Sequence, residues 1–208
     1  MHTSMRRFSS LPVAPAASLL RSVILNAKSL VHFHRVSPAI DPSLSALRKW
    51  SVCTNLQMLR EPIETNDFLE GAATAVDRVL HAVHSDDFRA FVGEKNKEND
   101  VVSWLQEVMT QKRFDACVFE MEEACKRGVK YDLRHVHFEN LGLFEASVIL
   151  DKIRLQVHCD MVHTVRVTSG HRDFQVPKSS SMLWTFESST KKRDWKIVDF
   201  QDISLLDH

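Results

Sequence analysis

The sequence predicts an α+β fold in which one layer of helices packs against one curved antiparallel sheet. Three observations lead there. Between residues 66 and 125 apolar side chains recur with the 3.6-residue period of amphipathic helices, and after Gly128 the period changes to two. The later apolar segments are joined by short polar turns of the kind that connect antiparallel hairpins. Composition agrees, since 44% hydrophobic and 26% charged residues are values of a folded domain and exclude a coiled coil or extended disorder.

The helices come first. Thr65 can cap a helix over 66–83, where Phe68, Ala72, Ala75, Val76, Val79, Leu80 and Val83 form one apolar stripe. Ser85-Asp86-Asp87 can cap a short helix ending near Gly93, followed by a polar loop over Gly93 to Asn99. Val101, Leu105, Val108 and Met109 mark a third helix, and Phe114, Cys117, Val118, Met121 and Cys125 a fourth. Lys126-Arg127-Gly128 stops the fourth, with cations in its last turn and a glycine suited to a left-handed cap.

The strands follow. Leu133 to Phe138 reads as a first strand. From 153 to 167, Ile153, Leu155, Val157, Cys159, Met161, His163, Val165 and Val167 occupy one face, with Val162 the only fault in the alternation. At ~3.3 Å per residue such a strand is roughly 50 Å long, so it is expected to bend or bulge around a core. Ser169-Gly170 turns the chain. Ser179 to Ser189 and Trp195 to Phe200 then form a second hairpin across Thr190 to Asp194.

The zero formal net charge of the 208-residue chain hides two unlike parts. Residues 1–50 carry seven basic side chains and one acid, Asp41, together with nine serines and no glycine, which leaves the rest of the chain acidic. Basic, Ser-rich and acid-poor is the composition of a mitochondrial transit peptide, and Leu20, Val23, Ile24, Ala27 and Val31 supply its amphipathic face. A secretory signal fits less well, because Pro12 and Pro15 break its apolar region. Arg48-Lys49-Trp50-Ser51 has the form of a matrix-processing site, with cleavage between Trp50 and Ser51. The expected organisation is a transit peptide over 1–50, a linker over 51–64 and one domain over 65–208. The longest uncharged run in the first fifty residues, Phe8 to Leu20, has 13 residues against the roughly 20 that a spanning helix needs, so no transmembrane segment is expected. An acidic body likewise predicts no specific nucleic-acid binding.

Sequence signals for chemistry are sparse. Phosphate-loop, dinucleotide and zinc-finger patterns are absent, and Cys53, Cys117, Cys125 and Cys159 lie far apart without a CxxC pair, as packed reduced thiols do. His135 and His137, with His158, His163 or His171, compete as metal ligands against a reading as surface histidines. Cys159 and His163 share a face but lie ~13 Å apart along a strand, too far for a thiol–imidazole pair. His163 is the one polar member of an apolar stripe. If the curved sheet and helices enclose an interior, Cys159, His163 and Trp184 are its candidate lining, with His163 either a satisfied core residue or an acid–base group. No cofactor, metal site or catalytic residue is assigned.

The first-helix pattern Phe68-x-x-Gly71-Ala72-x-x-Ala75, the short helices, the meander of long strands and the final Trp195-Lys196-Ile197-Val198-Asp199-Phe200 together resemble a known family. It is the C-terminal domain of the motor-anchoring subunit of the mitochondrial presequence translocase, and the resemblance covers roughly residues 64–206. It implies a cone-shaped fold like that of nuclear transport factor two. Within that superfamily, Phe68-Leu69-Glu70-Gly71-Ala72, Asp194-Trp195-Lys196-Ile197 and Ser204-Leu205-Leu206 look most like the matrix proteins that interact with the m-AAA protease. A related branch belongs to the mitochondrial large ribosomal subunit, whose members carry longer basic extensions. The resemblance implies a non-catalytic matrix adaptor, peripheral to the inner membrane. Its partners would be m-AAA protease subunits and newly imported inner-membrane proteins, such as a calcium uniporter subunit. The mitochondrial ribosome or a membrane-tethering role is the alternative, and a small-molecule enzyme using the cone interior a third.

Overall fold

A computed structural model describes residues 28–59, 61–94, 99–169 and 172–204. A helical stretch reaches residue 36, a 3-10 turn spans Ser37–Ala39, and five helices follow: α1 Ala46–Gln57, α2 Thr65–Val83, α3 Asp86–Glu94, α4 Asp100–Val108 and α5 Gln111–Lys126. Four strands complete the fold: β1 Val129–Ile149, β2 Lys152–Ser169, β3 Arg172–Ser189 and β4 Lys196–Asp202. Leu20, Val23, Ile24 and Ala27 of the predicted amphipathic face, Gly170 of the predicted turn and Leu205-Leu206 lie outside the described residues, as does much of the polar loop after Gly93.

Local chemistry explains the helix ends. Thr65, the expected cap, is the first helical residue of α2, and the cap position falls one residue earlier at Glu64. Ser85 caps α3 by accepting from the Phe88 amide at 3.1 Å, and the Asn99 side chain caps α4 by accepting from the Val102 amide at 2.9 Å. After α5 the chain turns at Gly128 with φ +65°, a conformation that costs glycine little.

The sheet is antiparallel in the order β1-β2-β3-β4. β2 and β3 pair without interruption from Lys152 opposite Ser189 to Ser169 opposite Arg172. The β1–β2 ladder is broken by register shifts at Arg134/His137, Phe138/Asn140 and Leu143/Glu145, so the irregularity expected of the long strand falls on its neighbour. β1 is also far longer than the Leu133–Phe138 segment, because its polar alternation there is masked by those shifts.

One expectation is corrected. Helices against a four-stranded antiparallel sheet form as expected, but the sheet is neither closed nor curled, so the cone-shaped, nuclear transport factor two-like architecture is not present. The register shifts are confined to the two outer ladders, β1–β2 and β3–β4, while the central β2–β3 ladder runs unbroken.

The core lies between the helices and one sheet face. There Val76 and Val79 of α2, Phe88, Leu105, Leu143, Leu155, Val157 and Trp184 are fully buried. The chain before α1 also belongs to the core. Val36, Ala39, Ile40, Asp41 and Leu44 are buried, the Asp41 amide donates to the Leu143 carbonyl at 3.0 Å, and Asn55 of α1 donates to the Ala146 carbonyl at 2.7 Å. Trp50 and Ser51, expected to flank a processing site, sit inside α1, where a cut would detach these buried residues from the domain.

Candidate functional site

Two recesses flank α2, one at each end. Toward its C-terminal end, α2, α5 and the sheet border a half-open cavity of about 630 Å³. Its wall is largely apolar, from Leu80 and Val83 on α2 through Met121 and Ala124 on α5 to Leu133, Met161, Val165, Val176, Met182 and Phe200 on the sheet. Strict alternation along β2 and β3 puts these sheet residues on one face together with His163, Lys178 and Ser180.

The polar groups of the cavity divide into two kinds. Lys178 pairs with Asp202 at 3.2 Å, Glu120 pairs with Arg113 at 3.3 Å, and the Arg127 side chain donates to the Glu123 carbonyl at 3.1 Å. His84 Nδ1 lies 2.8 Å from the Leu80 carbonyl and therefore carries the proton it donates. By contrast, His163 Nδ1 and Ser180 Oγ are buried with no hydrogen-bond partner among the described residues. Burial, then the Lys178 charge and the neighbouring His84, hold the His163 ring below its ordinary pKa; burial does the same for His84 against the opposing Leu80 carbonyl. Both rings are therefore neutral near neutral pH.

At the other end of α2 is an open groove of about 560 Å³. Pro62, Ile63 and Glu64 form one wall, Phe68, Gly71, Ala72 and Ala75 the floor along α2, and Val108, Phe186, Arg193, Trp195 and Ile197 the other wall. Phe68 is held between Trp195, with centroids 4.9 Å apart, and Phe186 at 5.6 Å and 85°. Arg193 donates to the Pro62 carbonyl at 3.0 Å, fastening the β3–β4 connection to the segment before α2. A Cβ on Gly71 would meet nothing within 4 Å, so the groove is open above that residue. The sequence-separated Phe68-x-x-Gly71-Ala72-x-x-Ala75 and Trp195-x-Ile197 patterns thus share one groove.

A third feature escaped the sequence. On the face of β2 opposite His163, the fully buried Asp41 carboxylate contacts His158 Nδ1, and His158 Nε2 lies 2.6 Å from Ser181 Oγ. Ser181 donates to Asp160 at 2.7 Å, and the Ser43 amide donates to Asp41 at 2.7 Å. Burial pushes the Asp41 carboxyl up, but the Ser43 hydroxyl and amide and the His158 ring outweigh it and hold it below the usual range. The order Asp–His–Ser matches a hydrolytic triad, yet the Ser181 proton is committed to Asp160, and the group fastens residues 40–44 to the sheet. Asp41 stands 117 positions from His158, and only its being the single acid of the first fifty residues marked it.

Of the predicted lining, His163 faces the cavity. Cys159 and Trp184 lie in the packed core, where Trp184 stacks on the cavity residue Phe200 at 4.2 Å and 22°. Burial pushes the Cys159 thiol up to about 12 and that of Cys117 up to about 11, so both remain protonated. The metal alternative is not assembled: His135 sits at a register shift with φ 53°, His158 and His163 point to opposite faces, and His171 lies outside the described residues. Among the described residues no three His, Cys, Asp or Glu side chains converge as metal donors, and no helix is long and apolar enough to cross a membrane.

No family model and no curated protein matches the chain. Similar solved structures include the intermembrane space region of chloroplast protein ARC6, at 12% identity and TM-score 0.37, covering 62% of this chain and 95% of that one. Another is CagV, a VirB8 homolog of the T4SS from Helicobacter pylori strain 26695, at 10% identity and TM-score 0.34, covering 62% and 93%. At these values neither likeness carries an argument about function.

Proposed function

We propose that the protein is a non-catalytic adaptor of the mitochondrial matrix, held at the inner membrane through the m-AAA protease, where it assists newly imported inner-membrane proteins. The observation that supports this reading is the meeting of Phe68, Gly71, Ala72, Ala75, Trp195 and Ile197 in one groove. Those residues carry the resemblance to the protease-interacting proteins, and residues that are far apart in sequence yet meet at an open surface suit recognition of another chain. Aromatic side chains at the edge of a recess are the usual anchors of such contacts. The basic N-terminal composition supports the location.

Affinity purification of the tagged full chain from mitochondria, followed by mass spectrometry, tests the proposal. Enrichment of m-AAA subunits is the expected result. Enrichment of large ribosomal subunit proteins in their place would favour the tethering alternative, and recovery of neither would overturn the adaptor reading.

A further inference from the structure

We propose that the protein forms a two-fold dimer in which the β1–β2 hairpin tip of each copy enters the groove of the other. The knob of this contact is the two-residue turn Leu150-Asp151, closed by Ile149 opposite Lys152. Leu150 is 96% exposed and Ile149 59%, so the turn carries two large apolar side chains that the chain's own core does not use. Leu150 also holds φ at 58°, the left-handed region where glycine or asparagine is the usual occupant of a hairpin turn. A leucine there costs backbone energy and gains no packing within its own chain, and a contact made outside the chain recovers both.

The recess lies at the same end of the sheet as the knob. The Thr190 amide donates to the Asp151 carbonyl at 2.7 Å, which joins the tip to the β3–β4 connection, and Arg193 of that connection lines the groove. Phe186 in the groove wall stands opposite Leu155, five residues from Leu150, so tip and groove are about 17 Å apart at ~3.3 Å per residue. Such adjacency is what a two-fold contact needs. An axis between tip and groove sets each tip against the other copy's groove and makes the same contact twice. The pair then closes, with no tip left over to recruit a third copy. Phe68, Ala72, Ala75 and Trp195 provide the apolar surface that meets Ile149 and Leu150.

Charge makes knob and recess complementary. Around the tip Lys152, Arg154, Lys191, Lys192 and Arg193 outnumber the acids Asp151, Glu187 and Asp194. Glu187 already holds Lys152 and Arg154, and Arg193 reaches Glu61 at 3.8 Å. Lys191 and Lys192 enter no ion pair among the described residues. At the groove, Glu64 is engaged by Arg35 at 2.7 Å, whereas Asp67 enters no ion pair among the described residues. Two unpaired cations beside the knob thus match an unpaired carboxylate at the recess, which gives the contact its orientation. The groove is the one assigned above to a partner protein, so self-association and that partner compete for it. The dimer itself does not depend on who that partner is.

Sedimentation equilibrium of the purified full chain at about 100 µM, where contacts of micromolar affinity are populated, should give twice the 23.9 kDa of the single chain. Leu150→Gly removes the knob while relieving the backbone, so it should stay folded and weaken the dimer about tenfold or more. Gly71→Leu, which fills the recess, should weaken it to a similar degree. Near-ultraviolet circular dichroism checks that each variant is folded. Mixing the two is the sharper test, because a Leu150→Gly copy keeps an open groove and a Gly71→Leu copy keeps its tip. Together they should form a mixed dimer through one intact contact, tighter than either variant forms with itself. A single-chain mass for the unaltered protein, a dimer unchanged by Leu150→Gly, or folded variants that fail to associate when mixed would each overturn the proposal. Leu150-dependent binding of a monomer to phosphatidylglycerol vesicles would also overturn it, giving the tip to a bilayer in place of a second copy.

Discussion

The two faces of the sheet treat their buried polar groups in opposite ways. On one, Asp41, Ser43, His158, Ser181 and Asp160 form a chain in which each member has a partner. On the other, His163 and Ser180 are buried with hydrogen-bonding atoms that have no partner among the described residues. Burial is similar, so burial alone does not separate a stabilising polar cluster from a costly one. Partnering does: a satisfied network holds the chain together, whereas orphaned buried atoms cost stability that nothing in the fold returns.

That difference predicts substitutions of opposite sign. The largest effect is expected at the satisfied face. Asp41→Ala removes the partner of the buried His158 Nδ1 and should cost about 3–5 kcal/mol in urea unfolding. Gly142→Ala strikes the same fastening sterically, because its Cβ would lie 2.7 Å from the Asp41 backbone. A backbone must move to make room, so a loss of about 1–3 kcal/mol is expected. At the cavity face, His163→Leu replaces an unpartnered buried polar group by an apolar one and should be neutral or stabilising by up to about 1–2 kcal/mol. If His163→Leu destabilises as much as Asp41→Ala, the contrast between the faces is wrong.

Acid separates the faces further. The folded-state pKa values of His84 and His163 are lowered below 6.5, chiefly by burial, so below about that pH the unfolded chain binds more protons than the folded one. Stability from the cavity face is therefore complete above 6.5 and falls as pH drops from there toward the lower folded values. Asp41 is held below its ordinary 3.8, so its contribution persists above 3.8 and is lost only as pH falls through the lower folded value. His32 is lowered too, by burial and then Arg35, so the cavity's share has to be isolated. Unfolding at a series of pH values should show a shallower loss below 6.5 in His163→Leu than in the unaltered chain, and an unchanged slope would place the acid sensitivity elsewhere.

How much of this was legible in the sequence follows from the range of the interactions. α2 and β2 were readable because their periodic stripes are local and nearly unbroken; Val162 still falls in register with Ser179 despite spoiling the alternation. The extent of β1 was hidden by three register shifts, and the open sheet by the expectation that a long strand bends around a core. His163 stood out as a polar member of an apolar stripe. Its diagonal neighbour Ser180 did not, since only the β2–β3 register brings the two onto adjacent positions of one face. Asp41 was unreadable for a related reason: a charge among basic and serine residues looks like transit-peptide composition until the fold places it beside His158.

The smallest stability change, and the most informative about function, is expected at Gly71. It lies on the exposed floor of the groove within α2, so Gly71→Ala should stabilise the helix by about 1 kcal/mol. Gly71→Leu keeps most of that gain while its side chain projects into open space and obstructs the groove. The decisive measurement is the recovery of m-AAA subunits by tagged Gly71→Leu and by the unaltered chain from equal amounts of mitochondria. The adaptor account predicts that the folded variant, at least as stable as the unaltered chain, recovers about tenfold less protease, as loss of a central interface contact does. Equal recovery by the two proteins would contradict it.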